Sequence, residues 1–268
     1  MNANYIALGY WDVALAAVLI FANAALSIGF RLGLERSLVI AATRTVVQLF
    51  LIGLVLKALF QLSSPLWTGM AALVMVGMAG REVMARQDRR FTGLWAYGIG
   101  TGAMLVAGAA ITAFALGSVI RPDPWYEPRF ALPLLGMVLG NVMTGISLGL
   151  NNLTQAAWRE RHMIEARLAL GHTRGEAFET IRRDALRTGM MPIINAMAVA
   201  GVVSLPGMMT GQILAGADPV EAVKYQILVM FLIAGGVGFG TLAAVMGGAA
   251  RLSDARHRLR LDRLQKRG

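Results

Sequence analysis

The stretch NNLTQAAWRERHMIEARLALGHTRGEAFETIRRDALRT, residues 151–188, decides how the rest of the chain is read. It is the only long polar interval between apolar segments, and it carries Arg159, Arg161, Arg167, Arg174, Arg182, Arg183 and Arg187. Met163, Ile164, Leu168 and Leu170 recur at helical spacing and predict a short helix with one apolar stripe. Gly171 is placed to end that helix, because glycine takes the left-handed conformation without a side-chain clash. Thr173 and Glu176 form the capping pattern T-x-x-E, which opens a second short helix with Phe178, Ile181 and Ala185 on one face. A helix, a tight turn and a helix are thus expected to protrude from apolar surroundings. They form either a solvated loop or a docking element for a soluble partner.

The surroundings follow from composition. Of 268 residues, 56% are hydrophobic and 15% charged, with a mean hydropathy of +0.60. Soluble domains carry about 25% charged residues, so the chain is read as an integral membrane protein. The absence of cysteine excludes disulfides, thiolate metal sites and a cysteine nucleophile. The net charge of +10 sits in connecting segments and the tail, which points to topology and anionic lipid rather than nucleic acid. The first apolar segment has neither a basic leader nor a small-residue cleavage site and is read as a retained span.

Crossing a bilayer takes about 20 apolar residues per helix. Seven spans are expected, at roughly 6–28, 38–60, 62–80, 94–120, 130–150, 190–214 and 219–250, giving an all-α polytopic fold. Arg31 and Arg36 occupy the first connection; Arg81, Arg86, Arg89 and Arg90 occupy the third; the arginines of 151–188 occupy the fifth. The tail adds Arg251, Arg256, Arg258, Arg260, Arg263, Lys266 and Arg267, whereas the opposite side has only Arg121, Arg129 and Lys224. The positive-inside rule then puts the amino terminus outside and the carboxyl terminus in the cytoplasm. Every Trp and Tyr, from Tyr5 to Tyr225, falls near the end of an expected span, where amphipathic rings prefer the headgroup region. Residues 1–250 form one membrane domain, and the basic tail 251–268 is expected to lie on the inner leaflet or to lack fixed structure.

Polar residues at membrane depth are functional candidates, because an unpaired polar group in lipid is costly. Arg44 and Gln48 share one helix face. In the fifth span, Gly136 and Gly140 form G-x-x-x-G, read mainly as a close-packing surface, and Asn141 beside them can hydrogen-bond across helices. The sixth span is interrupted by Ser204, Pro206, Gly207, Met208, Met209, Thr210, Gly211 and Gln212, either as a packing kink or as a broken helix facing a path. Asp218-Pro219-Val220-Glu221 reads as an N-cap, a proline at the first helical position and an acid at the third, so capping explains those acids.

Here a resemblance becomes specific. Residues Val203–Ile227, together with Arg44-x-x-x-Gln48-Leu49, the Pro133–Met143 run and the Leu168–Ala177 segment, resemble the FetB-type family of ABC transporter permeases over nearly the whole chain. Glu165, Ala166 and Gly171 resemble the coupling segment of such permeases, although Arg167 stands where that pattern has alanine. Bacterial members are described as iron exporters working with a separate ATPase subunit, and plant relatives are implicated in aluminium tolerance and associated with UDP-glucose. The resemblance implies a multi-pass permease of the bacterial inner membrane. Its interval 151–188 would be the coupling segment, with Glu165, Ala166, Gly171, His172, Thr173 and Arg174 meeting the ATPase. It also implies two such chains paired with two ATPases, with ATP and magnesium held by the partner, since the chain lacks G-x-x-x-x-G-K-[ST]. Arg44, Gln48, Met137, Asn141, Ser204, Pro206, Met208, Met209 and Gln212 are the expected cargo path.

The residues themselves do not spell out iron. All three histidines (162, 172 and 257) lie on the expected cytoplasmic side and no acid lies deep in an expected span. Met137, Met143, Met208 and Met209 are read first as adaptable packing. Arg44 favours an anionic or chelated cargo. An intramembrane hydrolase would need a nucleophile and base, or paired acids, at one depth, and these are missing. The rival reading is an ATP-independent carrier of a small anionic solute.

Overall fold

Proline opens three of the long helices from the first turn, where its missing N–H costs nothing. Pro65 starts α3 (Pro65–Ala85), Pro128 starts α5 (Pro128–Arg159), and Pro219 starts α10 (Pro219–Arg251). Around them the chain runs through α1 (Tyr10–Gly29), α2 (Glu35–Leu62), a short strand β1 (Arg89–Phe91) and α4 (Trp95–Phe114), which continues as a π-helical segment Ala115–Ile120. After α5 come α6 (Arg161–Ala169), α7 (Arg174–Ala177), α8 (Glu179–Val199) and α9 (Gly207–Leu214). A 3-10 turn, Leu261–Arg263, leads into β2 (Leu264–Lys266). The computed structural model describes residues 9–254 and 256–266; Tyr5, the first residues of the expected span 6–28, and the last two residues of the tail lie outside that range.

The all-α polytopic architecture stands, with two spans in a different form. Among the described residues five helices are long and apolar enough to cross a membrane: Tyr10–Gly29, Glu35–Leu62, Trp95–Ile120, Pro128–Arg159 and Pro219–Arg251. The third expected span is α3, whose last two turns carry Arg81 and Glu82. The sixth is not one helix. α8 stops at Val199, Gly201 turns at φ +83°, and α9 resumes only at Gly207, with Pro206 as its N-cap. Within the gap, the N–H groups of Val203 and Ser204 both turn back to the Val199 carbonyl, and Gly201 donates to the Ser204 carbonyl at 2.8 Å. The break therefore begins well before Pro206, and replacing that proline alone does not join the two helices.

α5 is the central post. It packs against α10, α8, α3 and α4, and Val138, Val142, Ile146, Leu153 and Ala157 on it are fully buried. α1 and α2 pair chiefly with each other at the periphery, with only 11% and 0% of their apolar windows buried. Helices α5, α8 and α10 approach closely at Gly145, Gly189 and Thr241. A methyl group built on Gly189 would lie 2.6 Å from the Gly145 carbonyl oxygen and 2.5 Å from Thr241 Cγ2. Small residues let helices approach closely where apolar lipid gives them no hydrophobic incentive to associate. The expected packing motif lies elsewhere: a β-carbon built on Gly140 would meet no other helix within 4 Å, and one on Gly136 only the Met75 side chain.

Of the two expectations for the tail, a lack of fixed structure does not hold for its described residues, which are folded. Leu252 is buried, and Leu259, Leu261 and Leu264 pack against the core. β2 pairs antiparallel with β1, Arg90 opposite Gln265. Arg263 Nη1 donates to the Arg251 carbonyl at 2.8 Å, satisfying an orphan acceptor at the end of α10.

Candidate functional site

The interval between α5 and α8 is built as a rigid turn. α6 is seated by Ile164, which is fully buried, and by Leu168. It ends in a Schellman motif: His172 N–H donates to the Arg167 carbonyl and Gly171 N–H to the Leu168 carbonyl, each at 3.1 Å. Gly171 takes φ +90°, the left-handed value anticipated for it. Thr173 then caps α7. Its N–H donates to Glu176 Oε2 at 2.7 Å and its hydroxyl accepts from the Glu176 N–H at 3.3 Å, a complete capping box. These bonds from the Thr173 backbone and hydroxyl hold the Glu176 carboxyl below its usual range.

The second helix of the pair is longer than expected. α7 has four residues, and the face of Phe178, Ile181 and Ala185, all buried, belongs mostly to α8. α8 runs without a break from Glu179, beside the turn, to Val199, past the crossing with Gly145 and Thr241. A displacement of the turn therefore reaches the crossing at Gly189 through about three turns of helix, ahead of the interior Pro192. Arg182 Nη2 donates to the Gly175 carbonyl at 2.7 Å, tying α8 to the turn.

At the apex the side chains of Glu165, His172 and Arg174 are exposed, as are Ala166 and Thr173. Glu165 does not reach an arginine of the second helix; its nearest partner is His162 Nδ1 at 3.9 Å. Leu170, placed by its spacing on the apolar stripe, is 80% exposed at the tip. The spacing rule fails there because Leu170 is the C-cap residue, where the chain leaves the helix.

The expected cargo-path residues divide into separate groups. Arg44 and Gln48 line a cleft of about 440 Å³ between α2 and α3, with Glu82 and Arg86 opposite. Arg44 Nη2 donates to Glu82 Oε1 at 2.9 Å. Glu82 was missed because the third span was ended at residue 80, whereas α3 continues to Ala85. This carboxylate changes the electrostatics, since Arg44 is not a lone cation. Asn141 does not bridge helices; its Nδ2 donates to the Met137 carbonyl one turn earlier, and its face of α5 is exposed. Met137, Met143 and Met208 pack against the core. Ser204 is exposed, Pro206 caps α9, and Met209 is half-buried beside it. Gln212 Oε1 and, on α10, Gln226 Oε1 are buried without a hydrogen-bond partner. Among the described residues, the two cavities lined by Arg44 and Gln48 do not reach α9. Among the described residues no three His, Cys, Asp or Glu side chains cluster to hold a metal ion.

A family profile described as "Uncharacterised protein family (UPF0014)" matches residues 10–252. The chain is 31% identical over 256 residues to the probable iron export permease protein FetB of Escherichia coli, covering 96% of each. It is 39% identical over 207 residues to a UPF0014 membrane protein of Synechocystis, covering 75% of this chain and 77% of that one. It is 32% identical over 232 residues to the Arabidopsis thaliana protein ALUMINUM SENSITIVE 3, covering 87% and 82%. No solved structure matches.

Proposed function

Because the chain belongs to the UPF0014 family of membrane proteins, we propose that it is the permease subunit of an ABC transporter driven by a separate ATPase. The observation that carries this reading is the preformed turn from Glu165 to Arg174, exposed at its apex and continuous through α8 with the helix core. A solvated loop needs neither a Schellman motif nor a capping box to hold its geometry. ATP and magnesium would be bound by the partner, and Glu165, Ala166, Gly171, His172, Thr173 and Arg174 would meet it. The orientation that suits this role is the one the arginines favour, with the turn and tail in the cytoplasm of a bacterial inner membrane and the amino terminus outside.

Two chains are expected to pair with two ATPases. The exposed faces of α2 and α5 and the exposed gap between α8 and α9 support this, since Gln48, Asn141 and Ser204 lie on surfaces that one chain leaves uncovered. A path lined by Arg44, Gln48, Met137, Asn141, Ser204, Pro206, Met208, Met209 and Gln212 would then form between subunits. Export of iron or an iron complex is the cargo that the name of the Escherichia coli relative suggests.

The second reading, an ATP-independent carrier of a small anionic solute, draws on the Arg44–Arg86 cleft. Reconstitution separates the two. Vesicles holding the chain with its ATPase should move cargo only with ATP, and transport by the chain alone under an ion gradient would overturn the ABC reading.

A further inference from the structure

The tail and the turn meet through one hydrogen bond: the Arg174 N–H donates to His257 Nδ1 at 3.1 Å. His257 takes φ +55°, in the left-handed region where asparagine, aspartate and histidine are the side chains most often found besides glycine. Asp254 holds it there. Asp254 Oδ1 accepts from the N–H groups of Arg256 and Arg258, and Oδ2 from Arg258 Nε, each at 2.9 Å. These bonds, with the Arg258 N–H foremost, lower the Asp254 carboxyl to about 2. Beyond it, β2 pairs with β1 and Arg263 caps α10, so the imidazole is aimed at the turn by a folded segment at both ends.

The charges around this contact are unbalanced. Glu176 is bonded to Thr173, Asp254 to Arg258, and Glu165 lies beside His162. Among the described residues Arg167, Arg174 and Arg256 form no ion pair with an acid; Arg167 and Arg174 flank the exposed Leu170 along the chain, and Arg256 adjoins His257, which bonds the turn. The turn lies beyond the carboxyl-terminal end of α5, separated from it by α6, and its bond to the tail makes turn and tail one surface, so the counterpart of the tail is the one the ABC reading gives to the turn.

We propose that the tail is part of the docking surface: His257 positions the turn, and Arg256 joins Arg167 and Arg174 in a basic rim that receives an acidic surface of the ATPase subunit around Leu170. This rests on the ABC reading above. The test is retention of the ATPase on the tagged full-length chain, the two being co-expressed and the complex placed in discs of neutral or anionic lipid. His257→Leu removes the acceptor and should lower retention roughly threefold to tenfold, the range for one lost hydrogen bond. His257→Asn keeps an acceptor, tolerates the left-handed conformation and should restore retention. Arg256→Glu should lower retention in both kinds of disc. If no ATPase is retained by the wild-type chain, the ABC reading fails and this inference with it. If Gly171→Val loses the ATPase while His257→Leu and Arg256→Glu retain it fully, the coupling turn stands and the role of the tail is refuted. An effect of Arg256→Glu confined to anionic discs assigns the rim to lipid and refutes it as well.

Discussion

Gly171→Val isolates the conformation of the turn from its contacts. No atom lies within 4 Å of the position a β-carbon would take at Gly171, so the substitution meets no steric clash and its cost is confined to the backbone. Holding an L-residue in the left-handed region costs about 1–2 kcal/mol, and a β-branched side chain falls at the upper end. The chain can escape that strain only by opening the turn. It then gives up the His172–Arg167 and Gly171–Leu168 hydrogen bonds, each contributing about 1 kcal/mol net. Either way, the docking-competent turn becomes less favourable by about 2 kcal/mol, a drop of roughly 25-fold in its population. Global stability should hold, because Ile164, Phe178, Ile181 and Ala185 remain buried on either side. The assay is ATPase retention and cargo-stimulated hydrolysis across Gly171→Asn, Gly171→Ala and Gly171→Val, with melting temperature measured in parallel. Asparagine should stay close to wild type, alanine should fall between, and valine should lose coupling at an unchanged melting temperature. Wild-type coupling in the valine variant, or equal loss with asparagine and valine, would refute the argument from backbone conformation.

Gly189→Ala should lower the melting temperature in detergent, because the new methyl group presses on the Gly145 carbonyl and Thr241; overpacking of this kind costs about 1–3 kcal/mol. Gly140→Ala should leave the melting temperature of the isolated chain unchanged, since nothing stands near it. Glu82→Gln should impair transport by leaving the Arg44 charge without its carboxylate, and adding Arg44→Gln should recover part of the loss; a silent Glu82→Gln would make the pair a surface ornament. Single cysteines placed at Asp123 and at His172, in a chain that has none, should label from opposite sides of the membrane, and labelling from one side would overturn the orientation.

Much of the turn was legible in the sequence because its signals are local. The glycine after an apolar helix, the T-x-x-E box and the Asp218-Pro219 start of α10 each act within a few residues, and each takes the form its chemistry requires. Composition likewise determined the membrane class, since an apolar excess of this size cannot be hidden in a soluble fold. Pairings between distant residues were decided only by tertiary structure. A G-x-x-x-G pattern shows that a helix face permits close approach, and α5 carries two such faces, at Gly136–Gly140 and Gly145–Gly149. Gly140 and Gly145 lie about 140° apart around the helix, and only the placement of α8 and α10 selects the second. Arg44 meets Glu82 from a separate helix, and His257 meets Arg174 across most of the carboxyl-terminal third of the chain. No local preference encodes these contacts. They arise because burying α5 on several sides fixes where the remaining helices and the tail must lie.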